Sequence, residues 1–477
     1  MEKIPIGKHV QGSRNSIVKK KTVVIQGLGF VGAAMALVVA SNRDDLYDVI
    51  GVDLPSNAGV IDKLNAGEFP VRSSDPKVSE CFKMARKRNN FRATSDQGAY
   101  ALADVVVVDI NLDVHKGVRD EHLDTSYSVP LDPFREAIRS IASVCKQDVL
   151  VLVESTVPPG TCKKLVQPVF EEEFQKRNLS PEFMIGHSYE RVMPGPGYID
   201  SIRNFYRVYS GIDEKSADAV ESFLKTIIST EEYPLTRLGS TTASEMAKVL
   251  ENSFRAMNIS FIQEWTEFAE AADVNLFEVI DAIRMRPTHK NIMKPGLGVG
   301  GYCLTKDPLL ASWSSQHFFG AKHLPQSERA VEINDQMPGH TLEHIFQHFR
   351  EGIANKKILI LGISYLPNVG DTRSTPVEPV FAALQDRKAR LVLHDPFVPF
   401  WVEHQLETCS DEEALAGDYD AVILGTAHMT YFDDGLLHKI LNANKPMALF
   451  DPHGAIPDTI RAEFPQHVFK ITGRGDV

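Results

Sequence analysis

Cysteine is scarce in this sequence, and its few copies form no recognisable pairing. Cys81, Cys145, Cys162, Cys303 and Cys409 are an odd, scattered set without a C-x-x-C pair. This argues against both a disulfide framework and a cysteine zinc site, and no metal is expected. Such usage fits a reducing cytoplasm. No apolar run reaches the ~20 residues that cross a bilayer, so no membrane segment is expected. The opening MEKIPIGKHVQGSRNSIVKKK is basic and polar, with no apolar stretch ahead of a small-residue cleavage site, so residues 1–20 read as a flexible lead and not a secretory signal. Positive charge is also short: 51 Lys and Arg against 63 Asp and Glu leave a net charge of −12, which disfavours nucleic acid as a partner. Neither a solenoid-period repeat nor a low-complexity tract is present.

What is present is a repeated alternation of short apolar runs and helical stretches. KTVVIQG, DVIGVD, ADVVVVDI and DVLVLVEST fall within the first 160 residues; KKILILGIS, ARLVLHDP, DAVILGTAH and PMALFDPHG fall after residue 355. Uninterrupted β-branched strands of this kind predict parallel sheets covered on both faces. The expected fold is therefore α/β, with two doubly wound, Rossmann-like domains. Between them, residues 240–274 carry apolar positions at helical spacing with no Pro or Gly, and Thr242 with Glu245 fits a capping box at the start. A helix that long suits a spine between lobes or a dimer interface.

The segment VVIQGLGFVGAAMA places Gly27, Gly29 and Gly32 between a strand and a helix, and Asp53 ends the next strand. Gly27 permits a tight turn, Gly29 lets backbone approach a pyrophosphate, and Gly32 lets the helix pack closely. Asp53 would bind the adenosine ribose and repel a 2′-phosphate, so the expected cofactor is NAD.

A second glycine-rich stretch, KPGLGVGGYCLTKDP (294–308), puts glycines at 296, 298, 300 and 301 just before Cys303. Such backbone can curl around a ligand and offer its N–H groups. Cys303 reads either as a small buried apolar residue or as a nucleophile made reactive by Lys294 and Lys306 nearby.

Six blocks taken in order, GLGFVG, ESTVPPGT, YERVMPG, EMAKVLEN, GVGGYCLTKDP and GDTRSTP, resemble the UDP-glucose/GDP-mannose dehydrogenases. Members of that family use NAD to oxidise the C6 alcohol of a nucleotide sugar to a carboxylate. The resemblance implies that Cys303 is the nucleophile of a thiohemiacetal and thioester route. It further implies that Lys248 and Asn252 hold the oxyanion, that Asp307 works with Lys248 on water, that Glu190 assists hydrolysis, and that Thr156 lies beside the reacting carbon. Gly27, Gly29, Phe30, Val31, Gly32, Asp53, Thr156, Lys306 and Arg373 match cofactor contacts. Glu190, Arg191, Lys248, Asn252, Lys294 and Gly300 match substrate contacts. The family's plan gives a NAD-binding domain over 21–230, a helical dimerisation domain with the cysteine loop over 231–335, and a nucleotide-sugar-binding domain over 336–477, with VEINDQMP (331–338) as the connection and a homodimer as the assembly.

Three departures bear on the sugar. Leu366 replaces a lysine used by many members, Tyr189 replaces a proline, and His289, with Arg284 and Arg286 close by, stands near the place of an arginine that crosses the dimer. ESTVPPGT with ERVMPG looks more like the branch acting on UDP-N-acetylhexosamines than that acting on UDP-glucose; UDP-glucose or GDP-mannose is the alternative. A two-electron hydroxyacid dehydrogenase would need neither Cys303 nor a second α/β domain. An inactive NAD-binding relative would be expected to lack some of Cys303, Lys248, Asp307 and Glu190, and all are present.

Overall fold

The computed structural model describes residues 20–70, 73, 75–117, 127–192 and 195–477. The N-terminal lead and Met193–Pro194 of the YERVMPG block lie outside the described residues. Among those described, no helix is long and apolar enough to cross a membrane.

The first apolar runs assemble into an eight-stranded sheet. In spatial order its strands are Thr236–Arg237, Val208–Gly211, Met184–His187, Leu150–Val153, Val105–Val108, Lys21–Gln26, Tyr47–Val52 and Phe91–Thr94. All pairings are parallel except that of Met184–His187 with Val208–Gly211. The alternation of the pleat explains why these strands are apolar throughout. Val105 and Val107 enter the core on one face, while Val106 and Val108 enter that on the other. The late runs repeat this logic in a five-stranded, all-parallel sheet ordered Arg390–His394, Lys357–Leu361, Ala421–Leu424, Ala448–Asp451 and Val468–Ile471. There Ile358 and Ile360 pack on one side, and Leu359 and Leu361 on the other.

Four helices position the site. Helix α1 (Phe30–Ala40) follows the first strand, α2 (Thr241–Ala271) is the long spine, α3 (Asp307–His317) follows the cysteine loop, and α4 (Pro325–His348) runs beside α2. With 31 residues at ~1.5 Å each, α2 extends about 46 Å.

One expectation needs correction. The start of α2 has no Thr242–Glu245 capping box: Ser240 is the N-cap and accepts from Ala243 N at 3.2 Å. Glu245 instead turns inward, where its carboxylate accepts from Gly160 N at 2.5 Å and Cys162 N at 2.8 Å. Burial wins this side chain for a loop that would otherwise leave two amides unsatisfied, and it pushes the Glu245 carboxyl up to about 7. The VEINDQMP segment, expected as the connection into the last domain, lies in the interior of α4, which carries Pro338 within it, so this connection is helical. Asn334 explains part of this use. Its side-chain amide donates to Val299 O at 2.9 Å and accepts from Val299 N at 2.8 Å, fastening the glycine loop to α4.

Candidate active site

The carboxyl ends of the first sheet's strands carry Gly27–Gly29, Asp53, Asp109, Thr156 and Glu190, the edge at which open α/β sheets bind ligands. Gly27 has φ +90°, and a Cβ there would lie 2.4 Å from Asp109 O; a Cβ on Gly32 would lie 1.9 Å from Gly27 O. Turn and helix packing therefore both need glycine. A Cβ on Gly29 would meet nothing within 4 Å, and no side chain caps the α1 N-terminus. That open place faces unsatisfied helix N–H groups, which suits a pyrophosphate. Asp53 accepts from Leu28 N at 2.9 Å, Leu54 N at 2.7 Å and Asn57 Nδ2 at 2.9 Å, so the acid expected at the ribose braces the glycine loop. The cleft beside them, about 580 Å³, runs from Gly27 and Gly29 past Asp53 and Leu54 to Tyr100 and Asp109. These residues fit NAD. Phe30 opens α1 and accepts from Tyr198 Oη, and Val31 follows it on the same turn.

The cysteine loop lies between the two sheets. Cys303 lies four residues before Asp307, the first residue of α3, which donates its N–H to Cys303 O at 2.9 Å. On the facing surface of α2, Lys248 Nζ donates to Glu190 O at 3.1 Å and lies 3.6 Å from Glu190 Oε1. One turn later Asn252 Nδ2 donates to Asp307 Oδ2 at 2.6 Å, while Lys306 Nζ lies 2.9 Å from Asp307 Oδ1. The i, i+4 spacing of Lys248 and Asn252 thus aims both at the loop. Lys248, Lys306 and Asp307 are buried, and Lys306 Nζ also stands 4.5 Å over the Tyr302 ring.

Burial and the Asp307 carboxylate push the Cys303 thiol up to about 11, with Glu190 adding to the rise and Lys248 and Lys306 opposing it. At neutral pH this environment favours the thiol over the thiolate. We expect the alkylation rate at Cys303, followed by peptide mass spectrometry, to rise about tenfold per pH unit from 7 through 10. A plateau near pH 8.5 would show an ordinary exposed thiol, and Asp307→Asn should shift the curve to lower pH.

Three groups escaped the sequence reading. Glu154 and Arg207 form a buried ion pair at 2.8 Å, and Arg207 Nη1 also donates to Tyr189 O at 2.7 Å. Burial pushes Glu154 up to about 7 against the pull of Arg207, with Glu190 adding to the rise. Asp109, with one carboxylate oxygen sequestered and unpartnered, is pushed well above its usual range by burial and by Glu154 and Glu190. Asp109 and Glu154 lay within runs singled out from sequence as strands; their grouping with Arg207 comes through sheet order, which no local spacing reveals.

The glycines of the cysteine loop serve the packing of the second sheet's loops. A Cβ on Gly300 would lie 2.4 Å from Ser374 O and 2.6 Å from Tyr365 Cβ, and one on Gly301 would lie 2.8 Å from the Tyr365 ring. Gly301 N donates to Arg373 O at 3.0 Å. The Arg373 guanidinium pairs with Asp371 and lies 5.7 Å over the Phe30 ring, bringing the third unit against the cofactor loop. Arg191 is held by Glu251 at 2.9 Å and by the rings of Tyr189 and Phe205. Lys294 pairs with Asp281 at 2.9 Å, outside the Lys248–Asp307 cluster. Leu366 is exposed, His289 bonds to its neighbour Thr288, and Arg284 donates to Ile292 O in its own segment.

Residues 21–228 match the NAD binding domain of the UDP-glucose/GDP-mannose dehydrogenase family, residues 242–336 its central domain, and residues 359–457 its UDP binding domain. A UDP-N-acetyl-D-mannosamine dehydrogenase of Pyrococcus horikoshii is 28% identical over 467 residues, covering 95% of this chain and 100% of the relative. One of Campylobacter jejuni is 28% identical over 380 residues, 78% of this chain and 85% of the relative. The solved structure of the P. horikoshii enzyme superimposes with a TM-score of 0.79 at 25% identity, covering 96% of this chain and 100% of that one. A UDP-glucose dehydrogenase from Pyrobaculum islandicum, 22% identical with a TM-score of 0.76 over 97% of this chain and 99% of that one, shares the fold.

Proposed function

This chain belongs to the UDP-glucose/GDP-mannose dehydrogenase family, NAD-dependent oxidoreductases of nucleotide sugars, and from that premise we propose that it oxidises the C6 alcohol of a UDP-N-acetylhexosamine to the carboxylate through an adduct on Cys303. The observation that carries the reading is the grouping of Lys248, Glu190, Asn252, Lys306 and Asp307 around the Cys303 loop. The names of the relatives support the N-acetylated sugar.

Gly27, Gly29, Phe30, Val31, Gly32 and Asp53, together with Thr156, Lys306 and Arg373, would hold NAD, which when bound would supply the acceptor for each of two hydrides. Lys248 and Asn252 steady the C6 oxygen as it gains negative charge. The Cys303 sulfur adds to the aldehyde carbon, its proton leaving to a neighbouring base, to give a thiohemiacetal. Loss of the second hydride leaves a thioester on Cys303. Glu190 or Asp307 takes a proton from water, which adds to the thioester carbon and expels the thiolate. Arg191, Lys294 and Gly300 hold the substrate side, and the third unit holds the nucleotide.

The dimer reading is supported by an apolar stripe along α2, where Met246, Leu250, Phe254, Phe261, Trp265 and Phe268 are each 45–63% exposed. Five unpaired cysteines suit a reducing compartment and support a cytoplasmic reaction. The test is NADH formed per sugar consumed across UDP-N-acetylmannosamine, UDP-N-acetylglucosamine, UDP-N-acetylgalactosamine, UDP-glucose and GDP-mannose. Two NADH per sugar with an N-acetylated substrate is expected. One NADH per sugar reopens a two-electron reaction, and preference for UDP-glucose or GDP-mannose moves the chain to the other branch.

A further inference from the structure

Near the far end of α2, Glu270 meets two histidines of α4. His340 Nε2 lies 2.8 Å from Glu270 Oε2, and His344 Nε2 lies 3.1 Å from the same oxygen. The two imidazoles come from one helix face at i, i+4, with ring centroids 4.7 Å apart. One donor atom from each of the three residues lies within 4.8 Å of the others. Glu270 is 22 residues beyond Lys248, about 33 Å along the helix, so this cluster is separate from the Cys303 site.

We propose that Glu270, His340 and His344 form a binding site for a divalent transition-metal ion of the zinc class. Two imidazoles and one carboxylate are a donor set for such an ion, whereas Mg²⁺ and Ca²⁺ favour oxygen alone. Tetrahedral ligands at ~2.0–2.1 Å from zinc stand about 3.4 Å apart. The observed 2.8 and 3.1 Å are about 0.6 and 0.3 Å short of that spacing, and the donor atoms of the two imidazoles lie within 4.8 Å of each other. The carboxylate is already braced, because Glu270 Oε1 accepts from Gly473 N at 2.6 Å, leaving Oε2 toward the imidazoles. Access is open as well. The site borders a groove of about 800 Å³ whose other lining includes Glu264, Glu267 and Glu343. That negative charge draws a cation, and the groove leaves a fourth position for water.

The three ligands and Gly473 belong to different parts of the fold. Glu270 ends the helix that carries Lys248 and Asn252, His340 and His344 lie on the helix that fastens the glycine loop through Asn334, and Gly473 follows the last strand of the second sheet. Leu276 N donates to Gly473 O at 2.9 Å in the same corner. A bound ion would cross-link the spine, α4 and the nucleotide-binding unit.

The competing account is a metal-free contact in which Glu270 simply bonds both histidines. Full-length protein stripped with EDTA and titrated with Co²⁺, then Zn²⁺, separates the two. One Co²⁺ per chain, with the visible d–d absorption of an imidazole site and displaced by Zn²⁺, is expected. In His340→Gln/His344→Gln the band should vanish and Zn²⁺ binding weaken by at least about 100-fold. Glu270→Gln should weaken it too. Far-UV circular dichroism and NADH formation would verify that each variant is folded. Absence of a band in the wild-type protein, or equal binding by a folded double-histidine variant, overturns the proposal whatever the sugar specificity.

Discussion

Cys303→Ser is expected to lower the rate of uronic-acid formation by about a thousandfold or more, because it removes the atom on which the proposed second oxidation rests. The serine hydroxyl is a poorer nucleophile than a thiol, and any oxygen ester formed is hydrolysed more slowly than a thioester. Lys248 and Asn252 remain in place to assist the first oxidation, so the variant should still form up to one NADH per site before stalling. Rapid-quench measurement of NADH together with intact-protein mass spectrometry checks both statements. Wild-type turnover at two NADH per sugar in Cys303→Ser would reduce the thiol to a packing residue. The same experiment in Asp307→Asn separates roles: there the adduct should accumulate on Cys303, because sulfur is present while water activation is impaired.

Local spacing explains which features were legible. Gly27, Gly29, Gly32 and Asp53 could be assigned tasks because turn, cradle, helix packing and ribose acid are set by residues within one βαβ unit; the tight turn at Gly27 and the close packing at Gly32 appear where that reading put them. Lys248 and Asn252 were equally readable, since four residues on a helix must share a face. The cysteine loop was read only in part. Its glycines were expected to wrap the sugar; at Gly300 and Gly301 glycine also answers a packing demand, because Tyr365 and Ser374, residues more than 60 positions away, fill the space a Cβ would take. Helix caps failed for a related reason. Thr242 and Glu245 had suitable spacing, yet two buried amides at Gly160 and Cys162 made a stronger demand on Glu245. The His340–His344 spacing was visible too, but its meaning depends on Glu270, brought in by the packing of α4 on α2.

The buried Glu154–Arg207 pair leads to the second large expected effect. Arg207→Met keeps much of the side-chain volume but leaves Glu154 in the core without its cation, near Glu190 and Asp109. Removing one member of such a pair typically costs about 3–5 kcal/mol, and the orphaned Tyr189 carbonyl contributes to the loss. Denaturant unfolding followed by signals from the first unit should report a fall of that size. Glu154→Gln added to Arg207→Met should recover part of it, since position 154 then holds no unpaired charge. The sign of the pH dependence identifies the cause. In Arg207→Met the folded Glu154 carboxyl lies above its unfolded value of ~4.3, so between the two values the folded state holds the extra proton. Its stabilising contribution is present at low pH and disappears as pH rises through the folded value, about 7 even with the arginine in place. The variant should therefore be further below wild type at pH 8 than at pH 6, with the gap narrowing in the double variant. A deficit independent of pH would assign the loss to packing and the Tyr189 contact alone. Activity should fall alongside stability, because Tyr189 precedes Glu190, whose carbonyl accepts from Lys248. Arg207 thus reaches the reacting groups through one carbonyl and a short loop, and a folded Arg207→Met enzyme should lose kcat more than it gains in KM.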